Sequence, residues 1–428
     1  MGQAGNAREM VEVATSVPLW RDRAFRLIWA GQTGSIFGDR VTGFALPWLV
    51  LAQTHSPFAA GLVTGGYFLP PLVLGLVAGG VADRLPRRRV LIACDLGRAL
   101  ALCTVVACGL LALAPPLWLL VGVVLVLGTG QLGFQVAYRA WLPSIMGESR
   151  LMGASAALEA SDAVSTLTGP PLAGVLVQAI GPALALGADA CSYCFSALTL
   201  SRLPADESPA PVADEQSRRG AWILAGVRHI LTTPAQRILK GCGTVLFLSA
   251  GSIELLLATL TQLRLGVPAW QAGLIYGAAG IGGLGGSAII SRLSADRWRR
   301  GLACTLAIAA LGAGGLAWAS VMGPHGGFIV ALLSNLILDG AVSAGFILTT
   351  TANALTTPPL LRGRVNAAGT MYSSAVRMVG ALALGALASR GNPLPTFVVL
   401  GGCFVATAII AALARDERNG KLGEPATL

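Results

Sequence analysis

Three carboxyls interrupt long apolar runs of this 428-residue chain: Asp39 in the run 24–51, Glu254 in 238–263 and Asp339 in 326–350. An ionisable group at bilayer depth costs about 2.5–3.5 kcal/mol on insertion scales, so a residue of this kind is a functional candidate wherever it occurs. A carboxyl in a low-dielectric cavity holds its proton to higher pH than it does in water and so can load and release one near neutrality. Asp39 ranks first as a proton carrier. It lies about 15 residues into its run, about 22 Å deep at the helical rise. Asn335 precedes Asp339 by one helical turn on the same face. Glu159 and Asp162 add two further carboxyls in the run 151–179, and Arg377 occupies the corresponding part of 365–389. The plainer alternative is a set of static ion pairs, Asp39 with Arg40 and Asp162 with Arg377. Asp189 reads as a peripheral polar residue, and Asp95 with Arg98 as a support for a nearby loop.

Other chemistries find no such constellation. His55, His229 and His325 are scattered, so neither a metal site nor a hydrolytic triad is expected, and the chain reads as no enzyme. No GxxxxGK[ST] loop occurs, so ATP does not drive it directly and no cofactor is implied. The eight cysteines all fall in apolar runs and read as small packing residues, Cys191-x-x-Cys194 included.

The elements that must carry these charges are membrane helices. The chain is 54% hydrophobic and 12% charged, with mean hydropathy +0.70, where soluble domains carry about a quarter charged residues. That composition excludes a soluble enzyme, a disordered chain and a nucleic-acid binder; the lipid bilayer is the expected surrounding. Twelve apolar runs follow one another at 24–51, 58–82, 90–113, 117–138, 151–179, 183–201, 238–263, 270–293, 301–320, 326–350, 365–389 and 393–414. Most reach the ~20 residues a spanning helix needs. With both termini in the cytoplasm, 25 of the 30 Lys and Arg fall in cytoplasmic segments and two in outer loops, the asymmetry of the positive-inside rule. The first 26 residues hold Glu9, Glu12 and Asp22 and lack a leading apolar core, so no cleavable signal peptide is expected.

The longest polar stretch, 202–237, divides an N-terminal six-helix half (1–201) from a C-terminal one with a cytoplasmic tail (238–428). Asp83-Arg84 with Arg87-Arg88 recurs 213 residues later as Asp296-Arg297 with Arg299-Arg300. A repeat at half the chain length implies a duplicated unit and a pseudo-two-fold axis along the membrane normal.

The segment Gly79 to Arg89, GGVADRLPRRR, resembles the GxxxDRxxRR motif between helices 2 and 3 of the major facilitator superfamily. The resemblance implies an all-α fold of twelve transmembrane helices in two six-helix halves. It also implies a conformational gate in which Gly79, Asp83, Arg84, Arg87 and Arg88 meet helix 11 near Arg364, with Asp296 and Arg297 forming a weaker second copy. Pro86 stands where the family usually has Gly, and Arg292 replaces the glycine of the second copy. Gly169-Pro170-Pro171-Leu172-Ala173-Gly174 is similar to the GPxxGG core of the antiporter motif in helix 5 of exporters; Pro bends the helix and Gly permits close packing. Phe25 to Pro47, the Tyr138 to Ala154 segment and Arg362-Gly363-Arg364-Val365 resemble the branch with siderophore and macrolide exporters. In this fold helices 1, 4, 7 and 10 line a central cavity, which would bring Asp39, Glu254 and Asp339 together. The function implied is export of an amphipathic small molecule by proton antiport, from a monomer in a bacterial inner membrane. The alternatives are proton-coupled import and lysophospholipid transport. Arg outnumbers Lys 28 to 2, as in a GC-rich genome.

Overall fold

The computed structural model describes residues 19–82, 85–203, 227–292, 298–358, 361–389 and 392–413. Its helices follow the twelve apolar runs and are numbered accordingly. They are α1 (Arg23–Thr54), α2 in two segments (Pro57–Gly66 and Leu69–Ala82), α3 (Arg87–Leu110), α4 (Leu117–Met146), α5 (Glu148–Ile180) and α6 (Pro182–Ser201). The second set is α7 (Pro234–Ala258), α8 (Ala269–Ile290), α9 (Trp298–Ala319), α10 (Pro324–Thr356), α11 (Arg362–Ala388) and α12 (Leu394–Leu413). Eleven of the described helices are long and apolar enough to cross a membrane; α1, which carries Arg23, Arg26, Asp39 and Arg40, is not among them.

Local chemistry sets the boundaries. Asp22 caps α1 by accepting from the Ala24 amide at 2.8 Å, and Ser56 caps α2 through the Ala59 amide at 3.2 Å. The break in α2 at Tyr67–Phe68 follows from Pro70 and Pro71, whose missing N–H groups leave the Gly66 and Tyr67 carbonyls without helical donors. Helix α4 continues to Met146, past the expected end at 138; it tolerates Pro143 near its C-terminus, and Gly147, at φ 69°, terminates it. Helix α7 passes into a π-helical turn, Thr259–Arg264.

The helix neighbours repeat at an offset of six. Contacts α1–α6, α1–α5, α2–α4, α3–α4 and α3–α6 in the first half recur as α7–α12, α7–α11, α8–α10, α9–α10 and α9–α12. Across the axis, α5 packs on α8 and α11 on α2. The chain is therefore a duplicated six-helix unit with pseudo-two-fold symmetry.

Both seams between the halves are lined by glycine, at the end of the bundle remote from Arg23 and Leu413, here called the far end. A methyl group on Gly61 of α2 would stand 2.5 Å from the Ala381 carbonyl oxygen of α11. In the equivalent seam, methyls on Gly174 and Gly273 would stand 2.4 Å from the Ala269 oxygen and 2.5 Å from the Pro170 oxygen. At the opposite, near end Gly75 of α2 and Met371 of α11 border a cavity of about 170 Å³, and a methyl on Gly75 would stand 4.0 Å from Met371 Cγ. The halves thus pack main chain on main chain at the far end and meet less closely at the near end. Overpacking costs about 1–3 kcal/mol, so Gly273→Leu should loosen the far seam. In a background without the native cysteines, a reporter at Ala388, 2% exposed, should then react at least tenfold faster with an impermeant maleimide. An unchanged rate would show that the glycine contacts do not hold the seam.

Candidate functional site

Two polar stripes at helical spacing face each other across the α1–α6 interface. Helix α1 presents Gln32, Asp39 and Thr42; α6 presents Ser196, Tyr193 and Asp189. Running in opposite directions, the helices pair these rung by rung. Gln32 Nε2 donates to Ser196 Oγ at 3.2 Å, the Tyr193 hydroxyl donates to Asp39, and the Thr42 hydroxyl donates to Asp189. Ser192 completes the set with a 3.0 Å bond to Asp189 Oδ1. The approach depends on Gly38, where a methyl would stand 2.2 Å from Asp189 Oδ1 and from Ser192 Oγ.

Beneath Tyr193 lies Arg98 of α3, its guanidinium 4.0 Å from the tyrosine ring centroid and 5.1 Å from that of Phe134. Arg98 is ion-paired to Asp95 and donates to Gln131 Oε1 at 2.6 Å. Asp95 and Arg98 are almost wholly buried.

Asp39 stands where three cavities meet. The largest, about 280 Å³, lies between the halves and reaches Tyr67 and Phe68 of α2, Glu254 of α7 and Arg377 of α11. A second of about 170 Å³ extends past Arg40 to Glu254, Asn335 and Asp339. The third, about 210 Å³, runs towards the near end past Arg98, Gln135 and Arg139. The structure therefore brings Asp39, Glu254 and Asp339 to the walls of adjoining cavities. Glu254 hydrogen-bonds nothing through its carboxylate among the described residues, although its main-chain oxygen accepts from the Tyr276 hydroxyl. Asp339 receives only a long 3.4 Å bond from Ser343, and Asn335 is held by its own bond to the Ile275 carbonyl at 2.8 Å.

The ion pairs differ from those the sequence suggests. Arg40 pairs with Asp162 at 2.8 Å, not with Asp39, because successive residues of a helix point about 100° apart. Asp39 faces α6 while Arg40 faces α5. Arg377 has no carboxylate partner among the described residues; its guanidinium lies over the rings of Phe68, Phe247 and Phe346. Glu159 is exposed on α5 and borders none of the three cavities. Asp189 is not peripheral but fully buried, and Arg98 reaches the cavity. Asp189, Tyr193 and Arg98 are the residues that sequence reasoning missed. The readable signal was the i, i+3, i+4 recurrence of Asp189, Ser192, Tyr193, Ser196 and Thr199 inside an otherwise apolar run.

The motif residues divide by location. A methyl on Gly169 would stand 2.7 Å from Arg40 Cβ, so this glycine makes room for the stem of the charged residue. Pro170 and Gly174 form the α5–α8 seam described above. Arg87 donates to the Ala140 carbonyl at 3.1 Å and Arg88 to the Leu200 carbonyl at 2.8 Å, tying the C-terminal ends of α4 and α6 together within one half. Gly79 lies on the second segment of α2. Asp83, Arg84, Asp296 and Arg297 lie outside the described residues, as does most of the expected linker.

The major facilitator superfamily profile matches residues 28–381. The chain belongs to the Major Facilitator Superfamily and is a multi-pass membrane transporter. It is 30% identical over 409 residues to the enterobactin exporter EntS of Escherichia coli O127:H6, covering 92% of each chain. It is 25% identical over 404 residues to YfiS, an uncharacterized MFS-type transporter of Bacillus subtilis (strain 168), covering 93% of this chain and 95% of that one. Among solved structures, a bacterial homologue of the iron transporter ferroportin in an inward-facing state superimposes with a TM-score of 0.68 at 18% identity, over 91% of this chain and 97% of that one.

The buried Asp189 rung gives a stability test. Asp189→Leu removes the acceptor for two hydroxyls, and an unsatisfied buried polar group costs about 1–3 kcal/mol. Asp189→Asn keeps an acceptor oxygen. In detergent, the leucine variant should melt several degrees below the asparagine variant; equal melting would show that the rung does not hold α1 to α6.

Proposed function

We propose that the chain exports an amphipathic small molecule from the cytoplasm in exchange for protons. The observation that carries the reading is the position of Asp39 at the junction of three cavities between the halves, with Glu254 and Asp339 on the walls of the same cavities. The geometry suits alternating access. The far seams open while the near end closes, and the carboxyls change the side from which water and protons reach them. In the near-open arrangement, substrate enters past Arg139 and Gln135, and Asp39 gives up its proton to the near side. When the far end opens, substrate leaves and Asp39 takes up a proton from that side. Tyr193 holds the charged carboxylate by hydrogen bonding, and Arg98 fixes the tyrosine ring from beneath.

Export is supported by the GPxxGG segment in the α5–α8 seam and by the relatives named as exporters of enterobactin. A cavity walled by Tyr67, Phe68 and charged groups suits a molecule that carries aromatic and polar groups together. The Lys and Arg asymmetry orients both termini, and the near end, to the cytoplasm, in the inner membrane of a bacterium. A chain with its cavity within one bundle works as a monomer and without a bound cofactor.

Inside-out vesicles with an acidic lumen test the reading. In a panel of macrolides, hydrophobic cations and siderophores, at least one compound should drive substrate-dependent proton release, read from lumenal pH, and Asp39→Asn should abolish it. Release unchanged in that variant would transfer coupling to Glu254 or Asp339. Substrate movement without any proton release would sink antiport.

A further inference from the structure

We propose that Arg377 binds an acidic group on the transported molecule, so that the substrates are aromatic acids rather than neutral or cationic amphiphiles. The proposal rests on the reading of the central cavity as the substrate site, but not on the direction of transport.

Three arginines lie deep among the spans, and two have carboxylate partners: Arg40 with Asp162, and Arg98 with Asp95. Arg377 is the exception. Among the described residues its guanidinium makes no hydrogen bond and no ion pair, yet it lines the 280 Å³ cavity. Ring centroids of Phe247, Phe68 and Phe346 lie 5.4, 5.6 and 6.0 Å from its Cζ, and they come from α7, α2 and α10. Ring faces attract a cation but accept none of the guanidinium's five N–H donors in a full hydrogen bond.

Arg377 lies in the middle of α11, too deep for its side chain to reach the membrane surface, and its backbone is closely packed. A methyl on Gly251 of α7 would stand 2.5 Å from both the Arg377 Cα and its carbonyl oxygen. Glu254, one turn further along α7, borders the same cavity but stands beyond ion-pair distance. The result is a fixed guanidinium, aromatic on its flanks and open to the cavity. A planar acid supplies what the site lacks, since a carboxylate takes a guanidinium through two parallel hydrogen bonds. The rings beside it receive the apolar body of the same molecule. A cationic molecule would instead be repelled by Arg377.

The test is equilibrium binding of two tritiated probes with one ring system, 2-naphthoate and the neutral 2-naphthylmethanol, to the full chain in lipid nanodiscs. Naphthoate should bind more tightly than the alcohol. Arg377→Gln should weaken naphthoate at least tenfold and leave the alcohol within twofold, while Arg377→Lys should restore part of the loss. If the glutamine variant does not fold, Arg377→Lys carries the test by weakening naphthoate relative to the alcohol, whereas Phe247→Leu should weaken both probes alike. Equal affinity for both probes, with neither moved by substitution at 377, would overturn the acid site and leave the cavity reading standing. Failure of the chain to bind either probe would count against both.

Discussion

A carboxylate within the bilayer must be compensated by protein, because lipid offers it nothing. That constraint organises the first half of the molecule around the α1–α6 interface. Asp39 and Asp189 each accept from a hydroxyl on the opposite helix, and the two helices approach closely enough to do so only because position 38 carries no side chain. Tyr193 is in turn fixed by Arg98, and Arg98 by Asp95 and Gln131. Polar groups on four helices therefore depend on one another: truncating any one of them leaves a neighbour buried without its partner. The network borders the cavities through Asp39, Thr42 and Tyr193 on one side and through Gln32, Arg98 and Gln131 on the other, while Asp95 and Asp189 stay buried behind them.

The second half meets the same constraint differently. Its cavity-facing charges are not tied into an equivalent network. Glu254 and Asp339 have few donors, and Arg377 rests against aromatic faces. The duplicated fold has thus diverged in chemistry while keeping its helix neighbours. One half holds its charge within hydrogen bonds, and the other presents charge to whatever occupies the space between them.

Much of this architecture is legible in the sequence because membrane solvation is severe. Apolar length alone marks twelve spans, and the 213-residue recurrence of the Asp-Arg clusters marks the duplication. The three cavity carboxyls are readable as charges with no place in lipid. Pairing is not readable, since it depends on rotation about each helix axis. Asp39 and Arg40 are neighbours in the chain yet face different helices, and Asp162 turns to Arg40 rather than across the axis to Arg377. Depth misplaces Asp189, because nearness to a span end says nothing about whether a neighbouring helix covers it. The break in α2 is implicit in Pro70-Pro71, but an apolar run with no charge in it conceals such an interruption.

The two glycine seams carry a mechanical consequence. Gly61 against Ala381 and Gly174 against Gly273 lie on opposite sides of the pseudo-two-fold axis, at the same end of the bundle. Contacts placed symmetrically about an axis cannot separate singly without tilting the halves out of the membrane plane. They act as the two leaves of a single joint, and separation at either is geometrically bound to separation at the other. Main chain packed on main chain leaves no long side chain to stretch and bridge a partial opening. The joint therefore has two settings and little between them, a property that keeps a membrane transporter from standing open to both sides at once.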